Sequence, residues 1–153
     1  MNIDALKQFH EHTYARNLVL KTPNVEIILV CWRPGQASPM HSHGPSDGVI
    51  VVLEGELHNT NLTPDGRRIT TIWHPGDIGH TPVGVQHEVI NQSKADVVTL
   101  NIYAAPLLPE YHNPDLGYSN EVAVQELQLP NQVVQYVLGR LPESAMAPAS
   151  YQI

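Results

Sequence analysis

Apolar residues fall in short runs rich in β-branched side chains, and turn residues separate the runs. Val25–Trp32 (VEIILVCW) is almost wholly apolar, as expected of a strand covered on both faces. Val49–Leu53 (VIVVL) has the same character. Glu56–Leu62 and Arg68–His74 flank Thr63-Pro64-Asp65-Gly66, whose proline and glycine suit a hairpin turn. Val85–Asn91 and Val97–Tyr103 complete the predicted strands. In the last of these, Thr99, Asn101 and Tyr103 alternate with Val98, Leu100 and Ile102. Alternation by itself favours a half-buried outer strand with its polar face in water.

Asp4–His10 reads as a short N-terminal helix with Ala5, Leu6 and Phe9 on one face. Beyond Tyr103 the pattern is broken by Pro106, Pro109 and Pro114. Glu121–Leu127 is predicted to return as a strand and Gln132–Leu141 to form a short helix. Pro142–Ile153, rich in Ala, Pro and Ser, reads as a mobile C-terminal tail. Short strands punctuated by 13 prolines and 10 glycines point to an all-β sandwich or barrel. Residues 1–141 are expected to form one domain, without internal repeats.

Composition narrows the function classes. A chain of 153 residues, 42% hydrophobic, is long enough for one good core. Eight Lys+Arg against 15 Asp+Glu give a net charge of −7 with no basic block, a poor match to nucleic acid or an anionic membrane. No apolar run approaches the roughly 20 residues of a transmembrane helix. Met1–His10 carries Asp4 and lacks the apolar core of a secretory signal. The single cysteine, Cys31, rules out an internal disulfide and fits a reducing compartment. The expectation is a soluble cytoplasmic protein, monomeric or a small homo-oligomer.

Nine histidines outnumber the eight Lys+Arg. His41 and His43 are one residue apart, which on extended backbone puts both imidazoles on one face, close enough to share an ion. Downstream, His87 begins a run that can pair beside the first. A third nitrogen there would leave open metal positions, as catalysis requires. An isolated His-x-His is more often accidental than ligating, so the second cluster decides the balance. His10, His12, His58, His74, His80 and His112 have no such partner and read as surface or packing histidines.

Gly35, five residues, His41-Ser42-His43 and then Gly55 reproduce the spacing of the first motif of the cupin family. Gly76, five residues, Pro82-x-Gly84-x-x-His87-x-x-x-Asn91 reproduces the second without a gap. The chain thus resembles a cupin, which implies a small β-barrel or jelly roll. Many cupins place a Glu ligand five residues after the second histidine, where Gly48 stands here. The resemblance therefore implies three histidines without a carboxylate. Asp47 is an alternative ligand, although its offset by one residue turns it to the opposite face of a strand.

From about Tyr14 to Pro106 the chain resembles the thiol dioxygenase branch of the cupins, cysteine dioxygenase above all. Tyr14-Ala15-Arg16-Asn17-Leu18-Val19 is similar to that family's Tyr-x-Arg-Asn-Leu-Val segment, and Cys31-Trp32 before Gly35 to the entry of its first motif. The resemblance implies Fe(2+) held by His41, His43 and His87. It implies that Arg16, with Tyr14 nearby, grips a substrate carboxylate, a role that suits the planar guanidinium fork. It also implies that the Tyr103 hydroxyl lies near the iron. Gly48 stands where animal enzymes carry a cross-linked cysteine, so that cross-link cannot form. Thr99 and Tyr103 keep the pattern of a Ser-x-His-x-Tyr relay, but Asn101 replaces its histidine. Asn can orient a phenol but cannot shuttle a proton at neutral pH. Ala104-Ala105-Pro106 replaces Ser-Pro-Pro, whose first proline follows a cis peptide, so a differently shaped loop is expected. With Asn101, this predicts that L-cysteine is not the preferred substrate.

The implied activity is an iron-dependent dioxygenase converting a small thiol carboxylate to its sulfinate with O₂. Two other classes stay open, because one barrel hosts many functions. One is a metal-dependent cupin oxygenase or isomerase acting on a non-thiol carboxylate. The other is a non-catalytic module that binds a small acid.

Overall fold

A computed structural model describes residues 3–111 and 117–119. The chain runs through β1 (Ala15–Lys21), β2 (Glu26–Trp32), β3 (Ala37–His41), β4 (Asp47–Glu54), β5 (Leu57–Leu62), β6 (Arg68–Trp73), β7 (Ile78–Thr81), β8 (Gln86–Ile90) and β9 (Val97–Ala104). They form two antiparallel sheets, ordered β1-β2-β9-β4-β7 and β3-β8-β5-β6, in a jelly-roll arrangement. Every strand predicted within the described residues is present. Three more escape the sequence pattern: β1, β3 with Pro39 inside it, and the four-residue β7. Each is short or mixed in polarity, and its partners across the ladder define it.

Both faces of β2 are covered. Ile28, Val30 and Trp32 join a cluster with Ile50, Val52, Leu57 and Val89 from both sheets. Ile27, Leu29 and Cys31 join Val49, Val51, Leu100 and Ile102 on the other face of the five-stranded sheet. Two buried faces explain why the run lacks alternation.

The predicted N-terminal α-helix is not formed. Ile3–Leu6 is a single 3₁₀ turn, closed by the Lys7 amide on the Asp4 carbonyl at 3.3 Å. Of the predicted apolar face, Leu6 and Phe9 pack against the core together with Ile3, whereas Ala5 is exposed. The backbone beyond them bonds elsewhere. The Gln8 carbonyl accepts from Asn17 Nδ2, and the His10 carbonyl from Gln36 Nε2 at 2.9 Å. A segment this short does not hold an α-helix against such competition.

β9 corrects the expectation drawn from alternation alone. It lies between β2 and β4, and all eight of its residues are buried. Its polar face points into the barrel instead of into water. The Ala104–Ala105 peptide is cis, so losing the proline has not removed the bend that the sequence led us to expect would disappear. The predicted strand Glu121–Leu127, the helix Gln132–Leu141 and the tail from Pro142 lie outside the described residues. No helix among the described residues is long and apolar enough to cross a membrane.

Candidate metal centre

The ladder between β3 and β8 sets His41 opposite His87, and His43 follows just beyond the end of β3. The three rings gather at centroid separations of 4.6 Å (41–87), 4.8 Å (43–87) and 5.2 Å (41–43). One nitrogen from each lies within 4.8 Å of the others. His43 Nε2 and His87 Nε2 are 3.1 Å apart. Neighbouring ligands on one ion, with nitrogen–metal bonds of about 2.1 Å, stand about 3 Å apart, so these residues fit a metal.

Outer contacts fix two of the rings, while His43 Nδ1 is buried without a hydrogen-bond partner. Asn59 Nδ2 donates to Asn61 Oδ1, so its oxygen faces His87 and accepts from His87 Nδ1 at 2.8 Å. The Pro39 carbonyl lies 2.6 Å from His41 Nδ1 and accepts its hydrogen. Both contacts leave Nε2 as the lone-pair nitrogen, the usual outcome when a ligand histidine donates through its other nitrogen. Burial drives all three pKa values down, His43 to about 3 and His87 to about 2, with neighbouring imidazoles adding to the effect at these two. The cluster is therefore neutral at pH 7, with lone pairs available.

Gly48, on β4, makes room for this arrangement. A Cβ there would lie 2.8 Å from His43 Nδ1. Asp47 does not join the cluster. Its Oδ1 lies 2.7 Å from His80 Nε2, as the one-residue offset implied. Among the described residues, the side chains grouped so that they could hold a metal ion are His41, His43 and His87.

The cluster opens into a cavity of about 320 Å³ that Arg16, Tyr14, Asn101 and Tyr103 also line, beside the apolar Val30, Met40 and Leu107. The Tyr103 ring stands edge-on to His43 with centroids 4.9 Å apart, and burial raises its pKa to about 12. Asn101 Nδ2 donates to the Tyr103 hydroxyl at 3.1 Å, and the Thr99 hydroxyl to Asn101 Oδ1 at 2.8 Å. Tyr14 is a wall residue: it stacks on Trp32 at 4.4 Å, and its hydroxyl lies 3.4 Å from Ser38 Oγ.

Arg16 is buried on β1 and faces a carboxylate that sequence reasoning missed. Its Nη2 is 3.8 Å from Glu26 Oε1, and its guanidinium lies 5.3 Å from the Tyr118 ring centre. Glu26 is fully buried, and it accepts from the Leu107 amide at 2.9 Å and from the Tyr118 hydroxyl. The signal was present: a lone charge inside VEIILVCW must find partners. Asn59 was missed as well, and nothing in LHNTNL marks which of its polar residues holds a histidine.

Residues 28–103 match the family described as Cupin domain (Cupin_2). This stretch is a cupin domain. Among solved structures, the TT1209 protein of Thermus thermophilus superposes with TM-score 0.63 and 26% identity, over 69% of this chain and 95% of that one. KdgF from Halomonas sp. superposes at TM-score 0.58 over 76% and 96%, with 19% identity, a likeness of fold. Germin-like protein subfamily 1 member 7 of Arabidopsis thaliana is 28% identical over 82 residues, 52% of this chain and 36% of that protein. Quercetin 2,3-dioxygenase of Bacillus subtilis (strain 168) is 38% identical over 68 residues, 44% of this chain and 19% of that enzyme. The cupin domain thus spans well under half the length of these two relatives.

Proposed function

We propose that the cupin domain is a metal-dependent dioxygenase, with Fe(2+) as its metal, that converts a small thiol carboxylate to the sulfinate: thiolate plus O₂ gives sulfinate, both oxygen atoms ending on sulfur. The observation that carries this reading is the convergence of three neutral imidazoles, without a carboxylate, on a cavity shared with Arg16 and Tyr103. His41, His43 and His87 would hold the ion, which when bound supplies Lewis acidity toward thiolate and the redox chemistry of O₂. Arg16 binds the substrate carboxylate by a charge-assisted hydrogen bond. Tyr103 remains a phenol at neutral pH and donates to the anionic end of the substrate. The aromatic wall of Tyr14 and Trp32, with Val30 and Leu107, limits water around the reacting atoms.

A second reading keeps the metal and changes the substrate to a carboxylate without sulfur. The partial match to quercetin 2,3-dioxygenase, whose named substrate has no sulfur, favours it. Metal analysis of the purified protein followed by oxygen uptake separates the readings. Thiol acids are tested against hydroxy and keto acids of the same length, with kcat/KM as the measure. Because Asn101 replaces the relay histidine, uptake is expected with a thiol acid other than L-cysteine as the best substrate. No uptake by metal-loaded protein with any thiol acid refutes the first reading.

A further inference from the structure

The inner face of β9 carries a hydrogen-bond chain whose direction is set at its far end. The Trp32 indole nitrogen can only donate, and it lies 3.3 Å from Thr99 Oγ1. A threonine hydroxyl has one hydrogen. Its oxygen accepts from Trp32 on one of its two lone pairs, and its hydrogen is directed at Asn101 Oδ1, 2.8 Å away. This orients the carboxamide, whose Nδ2 then donates to the Tyr103 hydroxyl oxygen at 3.1 Å. The phenol oxygen accepts that bond, and its own hydrogen must turn elsewhere. Asn101 and Tyr103 line the cavity, so the open direction is inward. Trp32 and Thr99 are 3% and 0% exposed, so bulk water does not compete for the link that sets the direction.

We propose that Trp32 and Thr99 are positioning residues that make Tyr103 a one-way hydrogen-bond donor into the cavity, so that the site selects a ligand with an anionic carboxylate acceptor beside Tyr103. The inference rests on the cavity being the ligand site. A carboxamide cannot exchange its two ends by gaining or losing a proton near neutral pH, so the orientation is a property of the fold. The indole is held by its stack on Tyr14 as well as by the bond it donates.

Neutron diffraction from deuterium-exchanged crystals of the full chain reads the direction without any ligand. The Thr99 deuteron is expected to point at Asn101 Oδ1, and the Tyr103 deuteron into the cavity. A Tyr103 deuteron lying on Asn101 overturns the proposal. Trp32→Phe keeps a ring against Tyr14 but removes the donor, and both hydroxyls are then expected to divide between two orientations. The solution measurement is anoxic calorimetry of the metal-loaded protein with mercaptoacetate, which only accepts through its thiolate and carboxylate, and with cysteamine, whose ammonium donates. The ratio of the two affinities is expected to fall about tenfold or more in Trp32→Phe and Thr99→Val. It should stay within about twofold in Thr99→Ser, which restores the hydroxyl. An unchanged ratio in Trp32→Phe and Thr99→Val overturns the proposal. If neither probe binds, the thiol reading fails, and the deuteron positions still decide the direction.

Discussion

Adding one carbon at Gly48 is the smallest change that tests the metal centre. A Cβ there would lie 2.8 Å from His43 Nδ1 and 3.1 Å from its Cε1. Carbon and nitrogen in ordinary contact stand roughly 3.5 Å apart, so one of the two must retreat by about 0.7 Å. The backbone is the less able to move. Gly48 lies in a strand paired on both sides, to Thr81 of β7 and Tyr103 of β9. The displacement therefore falls on the His43 ring, which is 2% exposed. Metal sites hold their ligand distances to about 0.2 Å, and a 0.7 Å shift exceeds that about threefold. Gly48→Ala is expected to weaken metal binding by about tenfold or more, and to lower the stability of the metal-free protein by about 1–3 kcal/mol through overpacking.

Competition against a chromophoric chelator gives the affinity, and urea unfolding after chelation gives the stability. Gly79→Ala is the control, because its Cβ would strike Trp73 at 2.2 Å, away from the three histidines. It should destabilise the protein without changing metal affinity. If Gly48→Ala binds metal with wild-type stoichiometry and affinity, His43 is not a ligand in this geometry and the three-histidine centre is wrong.

Replacing His41, His43 or His87 singly with Ala should abolish stoichiometric metal, measured by elemental analysis; retention in all three variants would sink the assignment. Arg16→Ala should weaken binding of a carboxylate substrate by about 1.5–3 kcal/mol, and an equal loss for its amide analogue would show that no carboxylate is read there. In chelated protein, stability should fall as pH drops below about 6.5, because the unfolded chain takes up protons that His43 and His87, held down to about 3 and about 2, refuse. At pH 5 each would cost about 2 kcal/mol if independent, and His87→Ala should flatten the urea-measured profile; the same slope in that variant would show that its imidazole is not buried neutral.

The strand pattern was legible because two periodicities coexist. β2 and β4 are apolar along most of their length because both faces are covered, and β5 with β6 is announced by the Thr63-Pro64-Asp65-Gly66 turn. β9 was legible as a strand, and its inward sense came from the family resemblance and not from its alternation. Alternation is the same whether the polar face meets water or a polar cavity, and only its place between β2 and β4 decides. The histidines were found through spacing. Glu26 and Asn59 act through partners far along the chain, Glu26 on the Leu107 amide and Asn59 on His87. No local pattern encodes such contacts.

Charge within the cavity connects these residues to the proposed substrate. Three neutral imidazoles leave a divalent ion with both of its charges. Arg16 adds one, and Glu26, 3.8 Å away and fully buried, cancels it. Lys21 lies 4.0 Å from the same carboxylate, but its side chain is 45% exposed and water screens most of its effect. With a divalent ion held by the three histidines, a ligand entering the cavity would meet a net charge close to two. A thiol acid bound as thiolate and carboxylate brings the two negative charges that match it. A glutamate ligand after the second histidine, as many cupins have, would leave room for only one. Gly48 houses the His43 ring, and under the proposed function it would also withhold a carboxylate that makes a doubly charged substrate a poor fit. Glu26 keeps Arg16 from shifting the balance the other way. The Leu107 amide and the Tyr118 hydroxyl donate to the carboxylate and hold it in place without adding charge.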